Sequence, residues 1–152
     1  MGLKIRDLVV SSPTFANGGR MPDRCAFDKG NVQPEIRIAG VPGDAVELAL
    51  ICHDPDAPLA HGFTHWLLYG IDPATRVIDE ATAATCRAAD NDFGTRGYGG
   101  PQPPAGHGDH HYYFWVYALD TRVQGTPDRE AFLSRYADHI VEQNRLVGVY
   151  AN

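Results

Sequence analysis

Acidic and imidazole side chains are concentrated in two short segments of the chain. The first, Asp-Pro-Asp-Ala-Pro, occupies residues 54–58, and the second, Gly-His-Gly-Asp-His-His-Tyr, occupies residues 106–112. Each segment joins a loop rich in proline or glycine to an apolar run that is typical of a buried strand. Ionisable groups held at strand ends commonly line small-molecule pockets. The sequence therefore predicts a binding site built from these two segments.

Spacing within the segments indicates which side chains share a face. Asp54 and Asp56 are two residues apart and are expected on one face of an extended segment, although an Asx turn that caps the local backbone is the alternative. His110 and Tyr112 are also two apart, and His65 stands at the mouth of another strand. We expect one sheet face to bring Asp54, His65, His110 and Tyr112 together.

The surrounding pattern is mostly that of β-structure. Strands are expected at residues 3–10, 36–41, 45–52, 66–71, 112–119 and 146–150. One helix is expected after an N-cap at Thr126 and Pro127, with Phe132, Tyr136 and Ile140 at four-residue spacing on its apolar stripe and Glu142 on its polar face. These elements predict a β-rich α+β domain with the helix packed on an antiparallel sheet. The length favours one domain, residues 1–152.

Composition excludes several classes of function. The net charge is −6, and the few basic residues form no stripe, which argues against a nucleic-acid partner. No run approaches the ~20 apolar residues of a membrane span. Residues 1–8 lack the apolar core of a secretion signal, so we expect a cytoplasmic protein. The three widely spaced cysteines favour reduced thiols over disulfides or a zinc site.

A combination of motifs strongly resembles the phosphatidylethanolamine-binding protein family, which includes the Raf kinase inhibitor proteins. The similarity is greatest to the bacterial and archaeal branch of that family. It rests on the following residues in order: Asp-Pro-Asp-Ala-Pro at 54–58, His65 and Trp66, Asp-Phe-Gly at 92–94, Gly-Tyr-Gly-Gly at 97–100, Pro-Pro-Ala-Gly at 103–106, His110, Tyr112 and Phe114.

The resemblance implies both an architecture and a binding site. The architecture is a central antiparallel sheet flanked by a smaller sheet and by helix. The site is a small pocket for phosphate-like anions and phosphorylethanolamine head groups, with neither metal nor cofactor. Carried over by position, the ligand-binding residues are Asp54, His65, His110 and Tyr112. The supporting residues are Pro55, Asp56, Pro58, Trp66, Pro103, Pro104 and Gly106.

This chain departs from the family pattern close to the expected pocket. The family usually has His-Arg-Tyr where this chain has His110, His111 and Tyr112, and animal members have glycine at the position of Gln102. One extra residue separates Gly106 from His110.

The preferred hypothesis for the pocket is charge attraction by histidine. Asp54 would hold an imidazole in its charged form, and His65, His110 and the Tyr112 hydroxyl would donate to anion oxygens. Asp54 could instead pair with an ethanolamine ammonium group, or be protonated when an anion is bound. All three alternatives remain open at this stage.

Other functions remain alternatives to ligand binding. Asp, His and Tyr together could run acid–base chemistry in a hydrolase or lyase, although Cys52 is expected to pack in its strand, and no nucleophile has a recognisable setting. Metal binding by His107, Asp109, His110 and His111 is disfavoured, since alternation sends neighbouring side chains to opposite faces and no matching ligand pair appears elsewhere in the sequence. The surface could also dock a kinase or protease. Aromatic character around Phe63, Trp66 and Tyr98 would suit a pocket rim or a homodimer interface.

Overall fold

Two antiparallel sheets form the framework in the computed structural model, which describes residues 6–152. The smaller sheet has the strand order β1-β2-β5, with β1 Val9–Ser11, β2 Ile36–Ala39 and β5 Val77–Ile78. The larger sheet has the order β6-β4-β3-β7-β8, with β3 Glu47–Asp54, β4 Phe63–Ile71, β6 Arg87–Ala88, β7 His110–Leu119 and β8 Ile140–Tyr150. This arrangement confirms the predicted fold class. The first predicted strand lies partly outside the described residues.

The larger sheet is covered on both faces. One face packs against the smaller sheet, where Leu50 and Phe114 share a core with Ile38. The other face packs against helix α2, Arg129–Tyr136, where Ile51 and Tyr117 share a second core with Phe132 and Tyr136. Because both faces are buried, every residue of β3 is buried and no polar–apolar alternation marks this strand.

Strand β7 keeps the alternation that its sequence predicts. From His110 to Trp115 the side chains are alternately buried and half-buried, so His110, Tyr112 and Phe114 face the interior. The strand begins at His110, two residues before the predicted start, because His110 and His111 already pair with Tyr150 and Val149 of β8. Both imidazoles are therefore fixed by backbone pairing.

A β-bulge interrupts the pairing of β3 with β4. Cys52 lies opposite Trp66 and His53 lies opposite Thr64, which leaves His65 as an extra residue on β4. An inserted residue disturbs the strict two-residue period of the side chains. As a result His65 and Trp66, although consecutive, both contact groups on the face that carries Tyr112 and Cys52.

The helical part of the fold differs from the sequence prediction at both ends of α2. The N-cap is Asp128, whose Oδ1 accepts from the Ala131 amide at 2.8 Å, and not Thr126. The helix ends at Tyr136, and residues 140–142, predicted as helix, begin β8. Pairing of β8 along the whole of β7 outweighs the helical periodicity. A second, short helix, α1, spans Glu80–Ala84. Among residues 6–152, no helix has the length and apolar character needed to cross a membrane.

The outer edge of β8 is covered by a loop from the N-terminal region. The Gly18 amide donates to the Val147 carbonyl at 2.7 Å, and the Met21 amide donates to the Val149 carbonyl at 2.9 Å. In return, the Val149 amide donates to the Gly19 carbonyl at 2.9 Å. The loop therefore satisfies polar backbone groups that an edge strand would otherwise expose.

Candidate functional site

A buried carboxylate–imidazole pair stands at the adjoining ends of β3 and β7. His110 Nδ1 lies 2.6 Å from Asp54 Oδ2, and neither side chain is more than 3% exposed. The other oxygen, Asp54 Oδ1, accepts from the Asp56 amide at 2.7 Å. Since a carboxylate only accepts, the proton of this pair lies on His110 Nδ1. Asp54 thus both caps the local turn and fixes the orientation of the imidazole.

A second imidazole extends the pair toward solvent. His107 Nδ1 lies 2.6 Å from His110 Nε2, and the two rings are tilted by 60°. His107 is exposed, whereas His110 is buried. The result is a continuous chain of hydrogen bonds from Asp54 through His110 to His107. The sequence pattern indicates His107 only as a possible metal ligand and does not predict its contact with His110.

His107 is carried by a turn with room around it. Gly106 and Gly108, on either side, have φ values of +75° and +89°, a region that favours glycine, and a Cβ at either position would meet no atom within 4 Å. The turn is anchored by the His107 amide, which donates to the Pro104 carbonyl at 3.1 Å. His107 is therefore the most easily displaced member of the chain of hydrogen bonds.

Asp56 does not share a site with Asp54, contrary to the expectation from their spacing. Asp56 follows the end of β3 in a turn, and its Oδ2 accepts from His111 Nδ1 at 2.7 Å and from the His111 amide at 2.8 Å. Both side chains of this second pair are nearly half exposed. The extended geometry that the spacing argument needs ends at Asp54.

His65 is buried beside the pair and is neutral. Burial lowers its pKa to about 4, which outweighs the opposing effects of the Gly99 carbonyl and the Asp54 charge. His65 Nδ1 donates to the Gly99 carbonyl at 2.6 Å, since a carbonyl only accepts, and this leaves Nε2 as an acceptor. The expectation that a charged His65 donates to anion oxygens is therefore wrong.

Tyr112 completes the cluster. It is buried, its ring lies edge-on to that of His65 at 5.1 Å, and it lies one register step from the paired residues His53 and Tyr113. Burial and the charge of Asp54 raise the pKa of its hydroxyl. The Tyr112 hydroxyl is therefore a neutral hydrogen-bond donor. Among residues 6–152, no group accepts a hydrogen bond from it. The four predicted ligand-binding side chains are thus close together, with exposed fractions of 1–4%.

The connection at residues 91–100 holds His65 in place, which the sequence analysis did not foresee. The Gly99 amide donates to the His65 carbonyl at 2.9 Å, in addition to the side-chain contact. A Cβ at Gly99 would lie 2.5 Å from the Phe93 ring, so glycine is needed there. Phe93 itself packs edge-on against Phe63 and His65. The cluster of glycines at residues 97–100 is visible in the sequence. It does not indicate that the Gly99 carbonyl binds the His65 ring.

The predicted supporting residues divide into two groups. Pro103, Pro104 and Gly106 lie near the His107 turn, where the Pro103 carbonyl accepts from Asn152 Nδ2 at 2.8 Å and the Gly106 amide donates to the Asn152 carbonyl at 3.3 Å. The second group, Pro55, Asp56, Pro58 and Trp66, lies away from this turn.

Trp66, expected at an exposed rim, is buried edge-on against Tyr98 and lines a separate cavity of about 330 Å³. Pro55 is exposed and borders a cavity with Tyr113 and Trp115, on the opposite face of the sheet. Pro58 is exposed in the turn after β3.

The imidazoles and carboxylates do not assemble into a metal centre among residues 6–152, where no cluster of three or more potential ligands is found. His110 and His111 alternate across β7 and bind different aspartates. The neighbouring Cys52 thiol is buried, and burial raises its pKa.

Comparison with known proteins identifies the family. The arrangement of two antiparallel sheets is shared with solved structures of one class of protein. The sequence model of that class, the phosphatidylethanolamine-binding proteins, matches residues 11–151. The chain belongs to this family.

Individual relatives support the assignment. A UPF0098 protein from Methanothermobacter thermautotrophicus is 40% identical over 93% of this chain and 97% of its own length. Another from Archaeoglobus fulgidus is 37% identical over 96% of this chain, which spans 52% of that relative. The crystal structure of a putative phosphatidylethanolamine-binding protein homologue, CT736 of Chlamydia trachomatis, is similar with a TM-score of 0.87 and 28% identity. That similarity covers 96% of this chain and 98% of CT736.

Proposed function

We propose that this chain binds a small phosphate-like anion, such as a phosphorylated head group, at the adjoining ends of β3 and β7. The observation that carries the proposal is the hydrogen-bonded chain from Asp54 through His110 to His107. A buried carboxylate fixes one imidazole, and an exposed imidazole covers its second nitrogen, where an anion oxygen could bind instead. Membership of the family supports the same function.

The ligand would occupy the place of the His107 ring. His110 Nε2 is the one ring nitrogen of His110 not bound to Asp54, and His107 now lies on it at 2.6 Å. An anion oxygen at that position would accept from Nε2 of a protonated His110 and from the displaced His107. The Asp54 carboxylate is bound through both oxygens and holds the His110 ring in the orientation that presents Nε2 to the ligand.

The remaining two side chains select a ligand that can both accept and donate. The Tyr112 hydroxyl donates, because burial and Asp54 keep it protonated. His65 offers only an acceptor, Nε2, because its Nδ1 proton is bound by Gly99. A protonated phosphate oxygen or an ammonium group can donate to Nε2. Phosphate monoanions and phosphorylethanolamine carry such donors, whereas a fully deprotonated anion does not.

The state of the nearby thiol disfavours nucleophilic catalysis at this site. Cys52 is buried in β3 and its pKa is raised, so the thiol is not activated as a nucleophile.

Isothermal titration calorimetry tests the proposal with inorganic phosphate and with phosphorylethanolamine at pH 6 and pH 8. We expect tighter binding at pH 6, by about tenfold, because the phosphate group then carries the proton that His65 Nε2 accepts. His110→Gln should abolish binding. His111→Gln is the matched control, since it removes the adjacent imidazole from the other pair, and its affinity should remain within about twofold of the wild type.

Equal affinity at both pH values would overturn the proposal, as would equal losses in the two variants. Circular dichroism at the titration temperature establishes that each variant is folded. If His110→Gln is not folded, His107→Gln takes its place, because His107 Nδ1 lies 2.6 Å from His110 Nε2 at the proposed ligand position. Affinity equal to that of the wild type in His107→Gln would then overturn the proposal.

A further inference from the structure

A cavity on the opposite face of the larger sheet contains a cation without a partner. The cavity has a volume of about 200 Å³ and is lined by His53, Pro55, Tyr113, Trp115 and Arg129. His53 and Tyr113 are a register pair of β3 and β7, directly next to Asp54 and Tyr112, whose side chains face the other way. We call this space the Arg129 cavity. It shares no lining residue with the candidate anion site.

The Arg129 guanidinium is the only charged group that lines this cavity. Its Nε is buried and has no hydrogen-bond partner. Within residues 6–152, no carboxylate lies within ion-pair distance of it. A buried charged donor without an acceptor destabilises the fold, so an oxygen ligand supplied from outside would gain the bond that the chain does not make.

The nearby acids are engaged with other groups. Asp128 caps α2 through the Ala131 amide at 2.8 Å, and Glu130 lies 2.9 Å from His61 Nδ1. Asp92 Oδ2 accepts from the Thr64 amide at 2.7 Å. These residues line a smaller cavity of about 130 Å³ that shares His53 and Arg129 with the Arg129 cavity. Arg129 therefore borders both a cavity lined by acidic residues and a cavity lined by aromatic residues.

The aromatic side of the cavity is suited to an apolar group. Tyr113 and Trp115 are two residues apart on β7, and their rings are nearly parallel, with 15° between planes and 6.4 Å between centroids. Both are half-buried. The Arg145 guanidinium lies 5.3 Å from the Trp115 ring centroid and adds a second positive charge to this face. His53 is neutral, since burial and the charge of Arg129 lower its pKa to about 4.

We propose that the Arg129 cavity binds a small aromatic monocarboxylate, with the carboxylate on the Arg129 guanidinium and the ring against Trp115 and Tyr113. The guanidinium fork, Nε with a neighbouring Nη, matches the two oxygens of a carboxylate. One such fork balances one negative charge. The cavity is also small, so a single ring fills it and a phospholipid does not fit.

Tryptophan fluorescence provides the test, with benzoate as probe and benzamide as its neutral counterpart of the same shape. Trp115 lines the cavity, whereas Trp66 is buried on the other face of the sheet, so a change on titration reports Trp115. We expect a saturable change with benzoate and at least tenfold weaker binding of benzamide. Saturating inorganic phosphate and the His110→Gln variant should leave benzoate binding unchanged.

The key variant is Arg129→Gln, which should weaken benzoate binding at least tenfold. Arg135→Gln is the matched control, because it removes an equal charge from the exposed end of the same helix and should change affinity less than twofold. Absence of a saturable signal, equal binding of benzamide, or unchanged affinity in Arg129→Gln would each overturn the proposal. If Arg129→Gln is not folded, the comparison of benzoate with benzamide on the unaltered chain decides the outcome.

Discussion

Two neighbouring histidines of β7 bind two aspartates of one turn, yet the two pairs lie in opposite environments. His110 and Asp54 are 2.6 Å apart with side chains 1% and 3% exposed. His111 and Asp56 are 2.7 Å apart with side chains 45% and 40% exposed. The chemistry and distance are nearly the same, and only the face of the strand differs. Burial therefore distinguishes the pair at which we propose ligand binding from the pair that is a surface contact.

The largest expected effect comes from breaking the buried pair. His110→Ala leaves the Asp54 carboxylate buried with only the Asp56 amide, and we expect a loss of about 3–5 kcal/mol in the free energy of unfolding. Urea denaturation at pH 7 measures it. The double variant Asp54→Leu/His110→Ala removes the stranded charge and should recover part of the loss. A loss below about 1 kcal/mol in the single variant would show that the pair behaves like an exposed one.

A smaller effect concerns the buried imidazole of His65, which has a carbonyl partner instead of a carboxylate. Its pKa in the folded chain is about 4, against an ordinary value near 6.5, so the unfolded chain takes up a proton first as the pH falls. Stability should therefore decrease between pH 6.5 and pH 4, by up to about 3 kcal/mol from this residue.

NMR titration of the His65 ring protons checks that sign directly. A midpoint near pH 4 is expected, and a midpoint within half a unit of 6.5 would contradict the description of a buried, neutral ring. His65→Phe should reduce the pH dependence of unfolding, since phenylalanine fits among the neighbouring rings but takes up no proton.

The smallest effect is expected from the exposed pair. His111→Ala or Asp56→Asn should change the free energy of unfolding by less than about 1 kcal/mol, because water competes for both partners and salt screens their charges. Thermal melts at low and high ionic strength measure the difference. If the loss in the free energy of unfolding were as large as that in His110→Ala, burial would not account for any difference in stability between the two pairs.

The sequence predicted the parts of the site that follow from regular strands. Two-residue spacing placed His110 and Tyr112 on one interior face of β7, and this is confirmed by their burial. Spacing failed at Asp56, where the strand had ended, and it did not reveal the bulge that adds His65 to β4. Neither event has a local signature, because a bulge depends on the register that two strands adopt when they pair.

The fold class was also predicted, although its helix was extended too far. Phe132 and Tyr136 pack on the sheet as their spacing indicates, but Ile140 belongs to β8. An apolar residue such as Ile140 suits the next turn of a helix and a buried strand equally well. Pairing with Leu119 of β7 makes it part of the strand. The role of His107 was missed because a glycine-flanked turn carries no periodicity, and its contact with His110 depends on how that turn closes.

The loop at residues 18–21 has a consequence for self-association. A homodimer built by joining the larger sheets through β8 would first have to break the bonds of Gly18, Gly19 and Met21 to that strand. At the other end of the sheet, β6 offers only two residues. Two copies of this chain should therefore not extend the larger sheet into one continuous sheet.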